Sequence, residues 1–447
     1  MFSTPHGGPI TRRSAIKCGA MATAALLLGK RMGLAASDIA SNPPLGKAKA
    51  VIQIWLAGGP SHLDTFDPKP AAGYAYCGPL NKPIQTNVDG IVISELMPEL
   101  AKQADKYSII RSMTHGSNNH ETAAYMVQTG HDSSDRLVYP CLGAVVSLLK
   151  GYDAGYRGLV PPYIVLTEPL GRFSETGFLG PRYKAFATGS NPARQPFAVQ
   201  GIVAEGISRR HQEERRALLH NLDVFGNGLK DDAGIAEFKK CEADAYDMIL
   251  GEGAKIFDLT AEGNSMREWY GLNQFGQSCL VARRLIEHGV RFVTINSGGW
   301  DTHKENFQAM RQKLPELDKG IAALLQDLTT RGMLDSTIVS CYGEFGRTPK
   351  VQWESPWNGG RGHCGKVFSA LVAGGGFRGG KIVGSSDETG EAVKDRPVYP
   401  WDLLGSMYEL LGIDPNGTFP HFGDGTVRLT QAASDTIKSG GLLREIM

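Results

Sequence analysis

The chain has 447 residues, of which 41% are hydrophobic, and its formal net charge is +1 at pH 7. A charge this close to zero gives no electrostatic footprint for nucleic acid, so we expect no nucleic-acid partner. The length suits one large α/β domain with a sizeable buried core.

The N-terminus carries a predicted export signal. Arg12 and Arg13 precede a short apolar run at residues 20–28, which is a twin-arginine pattern followed by a hydrophobic region. The run is about half of the ~20 residues that a membrane span needs, so we interpret residues 1–36 as a removable signal and not an anchor. We expect export by the twin-arginine route to the periplasm or the extracellular space, with a disordered basic N-terminus as the alternative. No later stretch predicts a stable membrane span.

After the signal, short apolar runs alternate with helical patterns. Runs rich in Val and Ile predict buried strands at residues 50–56, 107–111, 162–166, 291–296, 336–341 and 368–373. Apolar residues at helical spacing predict helices at residues 276–288, 313–330 and 401–411. A charged stretch at about residues 205–268 predicts a helical insertion. Together they predict a single α/β domain over residues 37–447 with a doubly wound, mostly parallel sheet.

Five polar stretches follow predicted strands or lie in glycine-rich loops close to them. They cover residues 57–67, 115–121, 298–303, 343–348 and 359–363. Because sites in open α/β sheets form at the carboxyl ends of strands, we expect these stretches to share one site. Imidazole and carboxylate are usual ligands of divalent metals, and Asp301 and His303 can reach one ion together. Taken singly, each stretch has a hydrogen-bonded loop as its alternative interpretation.

The same stretches resemble a known family. The segments GGPSHLDTFDPK, FGQSCLVARRLIEHGVRFVTINSGGWDTH, EFGRTPK and GRGH are similar to the secreted bacterial proteins catalogued as domain of unknown function 1501. The resemblance runs from about residue 48 to residue 415, and the order and spacing of several motifs agree. That family is grouped with the alkaline phosphatase and sulfatase superfamily. The resemblance implies an alkaline-phosphatase-like α/β/α sandwich with one or two metal ions above the sheet.

The site residues of the superfamily carry over in part. Asp301 and His303 resemble its Asp–His metal pair at a shorter spacing, and His363 resembles its late metal-binding histidine. Glu344 stands at the aspartate of a further Asp-His pair. Phe345 replaces the histidine of that pair and cannot bind a metal, so the resemblance implies that one ligand is lost.

Two further stretches carry residues implied by the resemblance. Asp64 or His62 takes the place of the aspartate that follows the first strand, and His115 is a further candidate ligand. Residues 120–130, HETAAYMVQTG, resemble the sulfatase nucleophile segment. His120 stands where the nucleophile would be, and Ser117 is a nearby hydroxyl.

These residues predict an exported, metal-dependent hydrolase of phosphate or sulfate esters. The predicted metal ligands are Asp64, His62, His115, Asp301, His303, Glu344 and His363. The predicted catalytic residues are His120, Ser117 and Arg347, whose planar fork would clamp the anionic group of a small ester. The predicted cofactor is a divalent metal, with zinc in first place and manganese or calcium as alternatives. The alternative function is a non-catalytic binding or scaffold protein, which Phe345 and the missing nucleophile favour.

Overall fold

The computed structural model gives the chain a mixed α/β architecture. It describes residues 46–447 apart from 134–136, 169–175, 196, 198, 200–208, 223–247, 249–250, 421–426 and 432–436. The strands are β1 Ala50–Leu56, β2 Ile84–Gln85, β3 Val92–Ile93, β4 Tyr107–Met113, β5 Tyr163–Leu166, β6 Phe186–Ala187, β7 Phe292–Ser297, β8 Thr337–Tyr342, β9 Gly346–Arg347, β10 His363–Cys364, β11 Phe368–Ala373, β12 Lys381–Val383, β13 Ser385–Ser386 and β14 Val393–Asp395. The α-helices are α1 Tyr74–Cys77, α2 Pro98–Ala101, α3 His120–Thr129, α4 Leu142–Val146, α5 Arg209–Leu222, α6 Gly253–Ile256, α7 Gly263–Tyr270, α8 Gln274–Glu287, α9 Asn306–Thr330 and α10 Pro400–Leu410.

An eight-stranded sheet runs through the described part of the chain in the order β12-β4-β11-β8-β1-β7-β5-β6. Its neighbours pair in parallel, except that β11 pairs antiparallel with β4 and β8. In the middle of the sheet, Ile54 of β1 lies opposite Ile295 of β7 and Cys341 of β8. The predicted mostly parallel sheet is confirmed.

Both faces of the sheet are covered by apolar layers. Alternate residues of a strand point to opposite faces, and in β1 the side chains of Ile52 and Ile54 join the core cluster that contains α8 and α9. Val51 and Trp55 join the second cluster, which contains α4 and α10. Because both faces are buried, the strand is apolar along nearly its whole length. The predicted α/β/α sandwich is confirmed.

The helix α9 is longer than its sequence pattern predicts. It begins at Asn306 instead of residue 313, and it continues through Pro315. Proline lacks the N–H that an interior helical position donates, so Pro315 makes the first turns hard to recognise from sequence. These turns carry Asn306 and Phe307, and both residues are buried.

The predicted insertion at about residues 205–268 is helical where it is described, in α5, α6 and α7. The rest of that range lies largely outside the described residues, as does the predicted signal at residues 1–36. Within the described part, none of the helices combines the length and the apolarity that crossing a membrane requires.

Candidate metal centre

Three neighbouring strands bring the polar loops of the site to one edge of the sheet. β1, β7 and β8 pair in parallel with β1 in the middle, so their carboxyl ends lie side by side. The loop after β7 carries Asp301 and His303, and the loop after β8 carries Glu344. The structure thus brings strand-end residues together as the sequence predicts.

His363 and His120 reach the same place from other elements. His363 begins β10, which pairs antiparallel with β9 and places His363 opposite Arg347. His120 is the first residue of α3, which Asn119 caps by accepting a hydrogen bond from the Thr122 N–H. The cap and the strand pairing fix the backbone beneath each imidazole.

Four side chains converge above this edge, and we call them the ligand cluster: His120, Asp301, His303 and His363. Asp301 Oδ1 lies 3.1 Å from His363 Nε2 and 3.2 Å from His303 Nε2. Asp301 Oδ2 lies 3.3 Å from His120 Nε2. The Nε2 atoms of His303 and His363 are 2.8 Å apart. Within the cluster, one ligand atom from each of His120, Asp301 and His363 lies within 4.8 Å of the others.

Three members of the ligand cluster, His120, Asp301 and His363, are close enough to share one small cation. Tetrahedral ligands ~2.0–2.1 Å from zinc are about 3.3 Å from one another, and the three contacts of Asp301 with the imidazoles, at 3.1 to 3.3 Å, are close to that value. In the neutral ring, one imidazole nitrogen carries a lone pair and no proton. The His303 and His363 Nε2 atoms therefore either share one proton in a hydrogen bond or direct both lone pairs to one cation. Three imidazoles and one carboxylate are also donors that zinc prefers.

Hydrogen bonds orient two of these imidazoles. The Nδ1 of His120 lies 2.6 Å from Glu344 Oε1, and the Nδ1 of His363 lies 2.8 Å from the carbonyl oxygen of Asn118. Both partners are acceptors, so Nδ1 donates in each ring. The Nε2 lone pairs then point toward Asp301, which is the arrangement typical of metal-binding histidines.

Glu344 supports the ligand cluster from behind. Its carboxylate accepts the Gly58 N–H, with oxygen distances of 2.9 and 3.1 Å, in addition to the His120 Nδ1–H. The residue is 4% exposed. Glu344, a predicted metal ligand, is therefore placed as the acceptor that orients His120.

Arg347 lies under Asp301, and its side chain is fully buried. It donates to Asp301 Oδ1 and to the carbonyl of Gly58, and its Nε donates to the Gly59 carbonyl at 2.9 Å. Its remaining nitrogen donates to the Arg361 carbonyl at 3.3 Å. Because protein atoms accept from every nitrogen, Arg347 does not face a ligand as the predicted anion clamp would. It holds Asp301 in place instead.

The protonation of the ligand cluster follows from these contacts. Burial disfavours the charged form of Asp301, but the Arg347 guanidinium outweighs it and lowers the pKa of Asp301. Burial lowers the pKa of His303, although the Asp301 charge opposes this. The hydrogen bond to Glu344 raises the pKa of His120. An ionised carboxylate and a neutral His303 are the forms that bind a metal.

Asp64 does not join the ligand cluster. Its carboxylate forms a two-pronged ion pair with Arg361, from Nε to Oδ2 at 2.8 Å and from Nη2 to Oδ1 at 2.9 Å. The Asn306 amide donates to Oδ2 at 2.8 Å. Both side chains of the ion pair are fully buried, so the predicted metal role of Asp64 gives way to a structural one that joins remote loops.

The two other predicted histidine ligands also lie outside the ligand cluster. His62 is buried with its Nε2 2.8 Å from the Gly390 carbonyl, and burial lowers its pKa. His115 donates from Nε2 to the Glu344 carbonyl at 2.6 Å and accepts the Ser117 N–H at Nδ1. The Ser117 hydroxyl accepts from a backbone N–H two residues further on. These three residues shape the loops around the site.

Some roles could not be inferred from the sequence. His120 was expected to act as the nucleophile, but its two nitrogens face Glu344 and Asp301. Arg361 pairs with a carboxylate 297 positions away in the chain, so no local pattern could match the two. Its position in the GRGH motif, two residues before His363, was the available signal.

Comparison with known proteins gives one family and several distant structures. The family model described as "Protein of unknown function (DUF1501)" matches residues 48–440. No curated protein shows a significant match to the chain.

The solved structures that resemble the chain do so at low similarity. A lipoteichoic acid synthase from Listeria monocytogenes is 10% identical, with a TM-score of 0.40 over 88% of this chain and 77% of that one. A sulfatase from Pseudoalteromonas sp. is 13% identical, with a TM-score of 0.39 over 88% and 72% of the two chains. A phosphonate monoester hydrolase from Silicibacter pomeroyi is 10% identical, with a TM-score of 0.35 over 86% and 78%.

Proposed function

This chain belongs to the DUF1501 family of proteins of unknown function, and we propose that it is a metal-dependent hydrolase of phosphate or sulfate esters. The main support is the ligand cluster, in which ligand atoms of His120, Asp301 and His363 lie within 4.8 Å of one another and His303 Nε2 lies 3.2 Å from Asp301 Oδ1. Its place at the carboxyl edge of a parallel sheet also favours a ligand site.

The proposal gives each residue of the site a role. The ligand cluster would hold one divalent ion, with zinc in first place. A bound ion of this kind polarises an ester oxygen and activates water for attack. Glu344 orients His120, the Asn118 carbonyl orients His363, and Arg347 fixes the carboxylate of Asp301. The substrate would be a small anionic ester.

Water is the attacking group in this proposal. The ligand cluster contains neither a hydroxyl nor a thiol, and the neighbouring Ser117 hydroxyl is engaged by a backbone N–H at 3.3 Å. Both nitrogens of His120 face carboxylates, so this imidazole is not free to attack. The hydrolase would thus proceed without a covalent enzyme intermediate.

A metal-binding protein without turnover is the second candidate. It is favoured by Phe345, whose ring lies 4.8 Å from the His120 ring and 4.6 Å from the His363 ring. An apolar ring here fills space beside the ligand cluster and offers no group for acid–base chemistry.

Metal analysis and ester hydrolysis test the two candidates together. Purified protein should contain about one zinc ion, and His303→Ala and His363→Ala should each contain less. His288→Ala, at an exposed helix end, is the matched control. Zinc at 100 times its dissociation constant should stabilise the wild type by about 2.7 kcal/mol and raise its Tm.

The outcomes separate the candidates. Zinc-dependent hydrolysis of p-nitrophenyl phosphate or sulfate supports the hydrolase. Stoichiometric zinc with no hydrolysis of either ester favours the metal-binding protein. Absence of metal, with a Tm that zinc, manganese and calcium leave unchanged, contradicts both.

We also infer export through the predicted signal at residues 1–36. The support is the pair Arg12 and Arg13 ahead of the apolar run at residues 20–28. Replacing both arginines by lysine keeps the positive charge, and should leave unprocessed precursor in the cytoplasm. Normal secretion of this double variant would exclude the twin-arginine route.

A further inference from the structure

A closed ring of hydrogen bonds adjoins the ligand cluster along the chain. Its members are Thr302, Asn306, Asp64 and Arg361, and we call it the buried ring. The Thr302 hydroxyl donates to Asn306 Oδ1 at 2.7 Å, and the Asn306 amide donates to Asp64 Oδ2 at 2.8 Å. Arg361 donates to both oxygens of Asp64, at 2.8 and 2.9 Å. The backbone N–H of Arg361 then donates to the Thr302 carbonyl at 3.0 Å, which closes the ring.

The buried ring joins four separate parts of the fold. Asp64 lies in the loop after β1, and Thr302 lies in the loop between β7 and α9. Asn306 is the first residue of α9, and Arg361 precedes β10. All four residues are at most 5% exposed. Each bond of the ring is therefore shielded from water, and each member holds a different segment to its neighbour.

Protein atoms also accept from the rest of the Arg361 guanidinium. Its Nη1 donates to the Thr348 carbonyl at 3.0 Å and to the Pro349 carbonyl, and its Nη2 donates to the Tyr76 carbonyl as well as to Asp64. The desolvation of a buried ion pair offsets much of its attraction, so such a pair adds little stability over apolar side chains of similar volume. A fully bonded network does, however, restrict the segments that it joins to one arrangement.

Two members of the buried ring are close in sequence to members of the ligand cluster. Thr302 stands between Asp301 and His303, and Arg361 stands two residues before His363. The Nε2 atoms of His303 and His363 are 2.8 Å apart. A shift of either backbone segment would change this separation, and a binding site requires its groups to stay within about 0.5 Å of the productive geometry.

We propose that Thr302, Asn306 and Arg361 are positioning residues, and that the buried ring sets the separation of His303 and His363 at which the ion binds. The inference rests on the metal site of the proposed function and extends that site to residues that do not touch the ion. Asp64 takes part as the acceptor on which two of the donors meet.

Removing one hydroxyl from the buried ring tests the inference on the full chain. Thr302→Val keeps the shape of the side chain and removes the donor to Asn306. In competition with a chromophoric chelator, this variant should bind zinc about tenfold more weakly than the wild type, as when an outer partner of a metal ligand is lost. The visible absorption of bound Co²⁺, which reports coordination geometry, should change too. Thr302→Ser keeps the hydroxyl and should retain the wild-type affinity and spectrum.

A matched control separates positioning from stability. Thr430 is also buried, at 8% exposure, and its hydroxyl donates to the Pro415 carbonyl at 2.9 Å. Thr430→Val loses a similar bond outside the buried ring, so it should lower the Tm without changing the zinc affinity or the cobalt spectrum. Arg361→Lys keeps the charge but lacks the planar fork, and it should weaken zinc binding at least as much as Thr302→Val does. Should Arg361→Lys not fold, the threonine variants decide.

The inference is overturned if Thr302→Val binds zinc as tightly as Thr430→Val does and gives the wild-type cobalt spectrum. That result would leave the proposed hydrolase standing. A wild type that binds zinc, loses affinity in Thr302→Val and hydrolyses neither ester supports the inference and contradicts the hydrolase. A wild type that binds no metal contradicts both.

Discussion

The molecule contains two groups of charged side chains that are built in opposite ways. One is an ion-pair network that joins the residue before α7 to α8 and to the C-terminal end of α9, and we call it the arginine network. It consists of Arg283, Arg284, Arg331, Glu262, Glu287 and Asp327. Each acid has at least one arginine within 3.2 Å, and the three positive and three negative charges balance.

The ligand cluster has no such balance. The Nε2 atoms of His303 and His363 face each other at 2.8 Å, and both face a carboxylate that Arg347 already holds. In the arginine network every charge has an opposite partner within the protein, so the network is complete. In the ligand cluster the donor atoms converge on one another, so a cation from outside would complete them. The contrast gives the arginine network a structural role and supports the proposed metal site in the ligand cluster.

Removing Arg283 should give the largest effect and should act on stability alone. Its side chain is fully buried and lies 2.6 Å from Glu287 and 2.9 Å from Asp327. Arg283→Ala leaves three carboxylates to two arginines, with Asp327 and Glu262 largely buried, and we expect a loss of about 3–5 kcal/mol in urea denaturation. The control is Arg210→Ala, which removes an ion pair whose arginine is 86% exposed and should cost about 0.5 kcal/mol or less. Equal losses in the two variants would contradict the importance of the arginine network.

A buried histidine outside both groups should make stability depend on pH. Burial lowers the pKa of His131 to about 4, and its ring stacks on Tyr139 at 3.6 Å. The folded state binds its proton less readily than the unfolded state, whose histidine has a pKa of about 6.5. Its contribution is therefore complete above pH 6.5 and is lost as the pH falls to 4, by roughly 3 kcal/mol.

The pH effect can be measured by urea denaturation at pH 7 and pH 4.5. His131→Gln should lose less stability than the wild type between these two pH values. His288→Gln replaces an exposed histidine and should behave as the wild type does. If His131→Gln loses as much stability as the wild type between pH 7 and pH 4.5, His131 is not the source of the pH dependence.

Loosening the support of the ligand cluster should have the smallest effect, and it should act on metal affinity. Glu344→Gln removes the charged acceptor that orients His120 and binds the Gly58 N–H. Loss of an outer acceptor of this kind weakens metal binding by about 10–100-fold. Competition with a chromophoric zinc chelator measures the change, and Glu268→Gln on the exposed face of α7 is the control. An unchanged zinc affinity would mean that Glu344 does not support metal binding through its hydrogen bond to His120.

Much of the fold could be predicted from the sequence because a strand that is buried on both faces appears as a continuous run of apolar residues. The apolar runs predicted at 50–56 and 368–373 match β1 and β11 residue for residue. The antiparallel direction of β11 could not be predicted, because a strand buried on both faces reads the same in either direction. The start of α9 was missed because Pro315 interrupts the helical pattern after the first turns.

For the candidate site, the sequence predicted which residues lie close together better than it predicted what each side chain does. Asp301, His303 and His363 follow strands or lie near them, and strand ends converge in a parallel sheet. The role of each residue depends on the direction in which its side chain points. Asp64 turns toward Arg361, and Arg347 turns into the protein under Asp301. Such choices depend on partners far away in the chain, so no local motif reveals them.

The glycines on either side of His363 bear on how this centre could change in evolution or by design. A Cβ at Gly360 would lie 1.8 Å from the His303 carbonyl oxygen, and one at Gly365 would lie 2.0 Å from the Ser117 carbonyl oxygen. Any side chain at these two positions would push neighbouring loops apart. A substitution of His363, whose half-buried imidazole lies between them, changes the donor atom and leaves both glycines unchanged. In the proposed metal centre, a change of the ligand type at position 363 would alter the metal preference. A change at either glycine would instead alter the spacing of the loops.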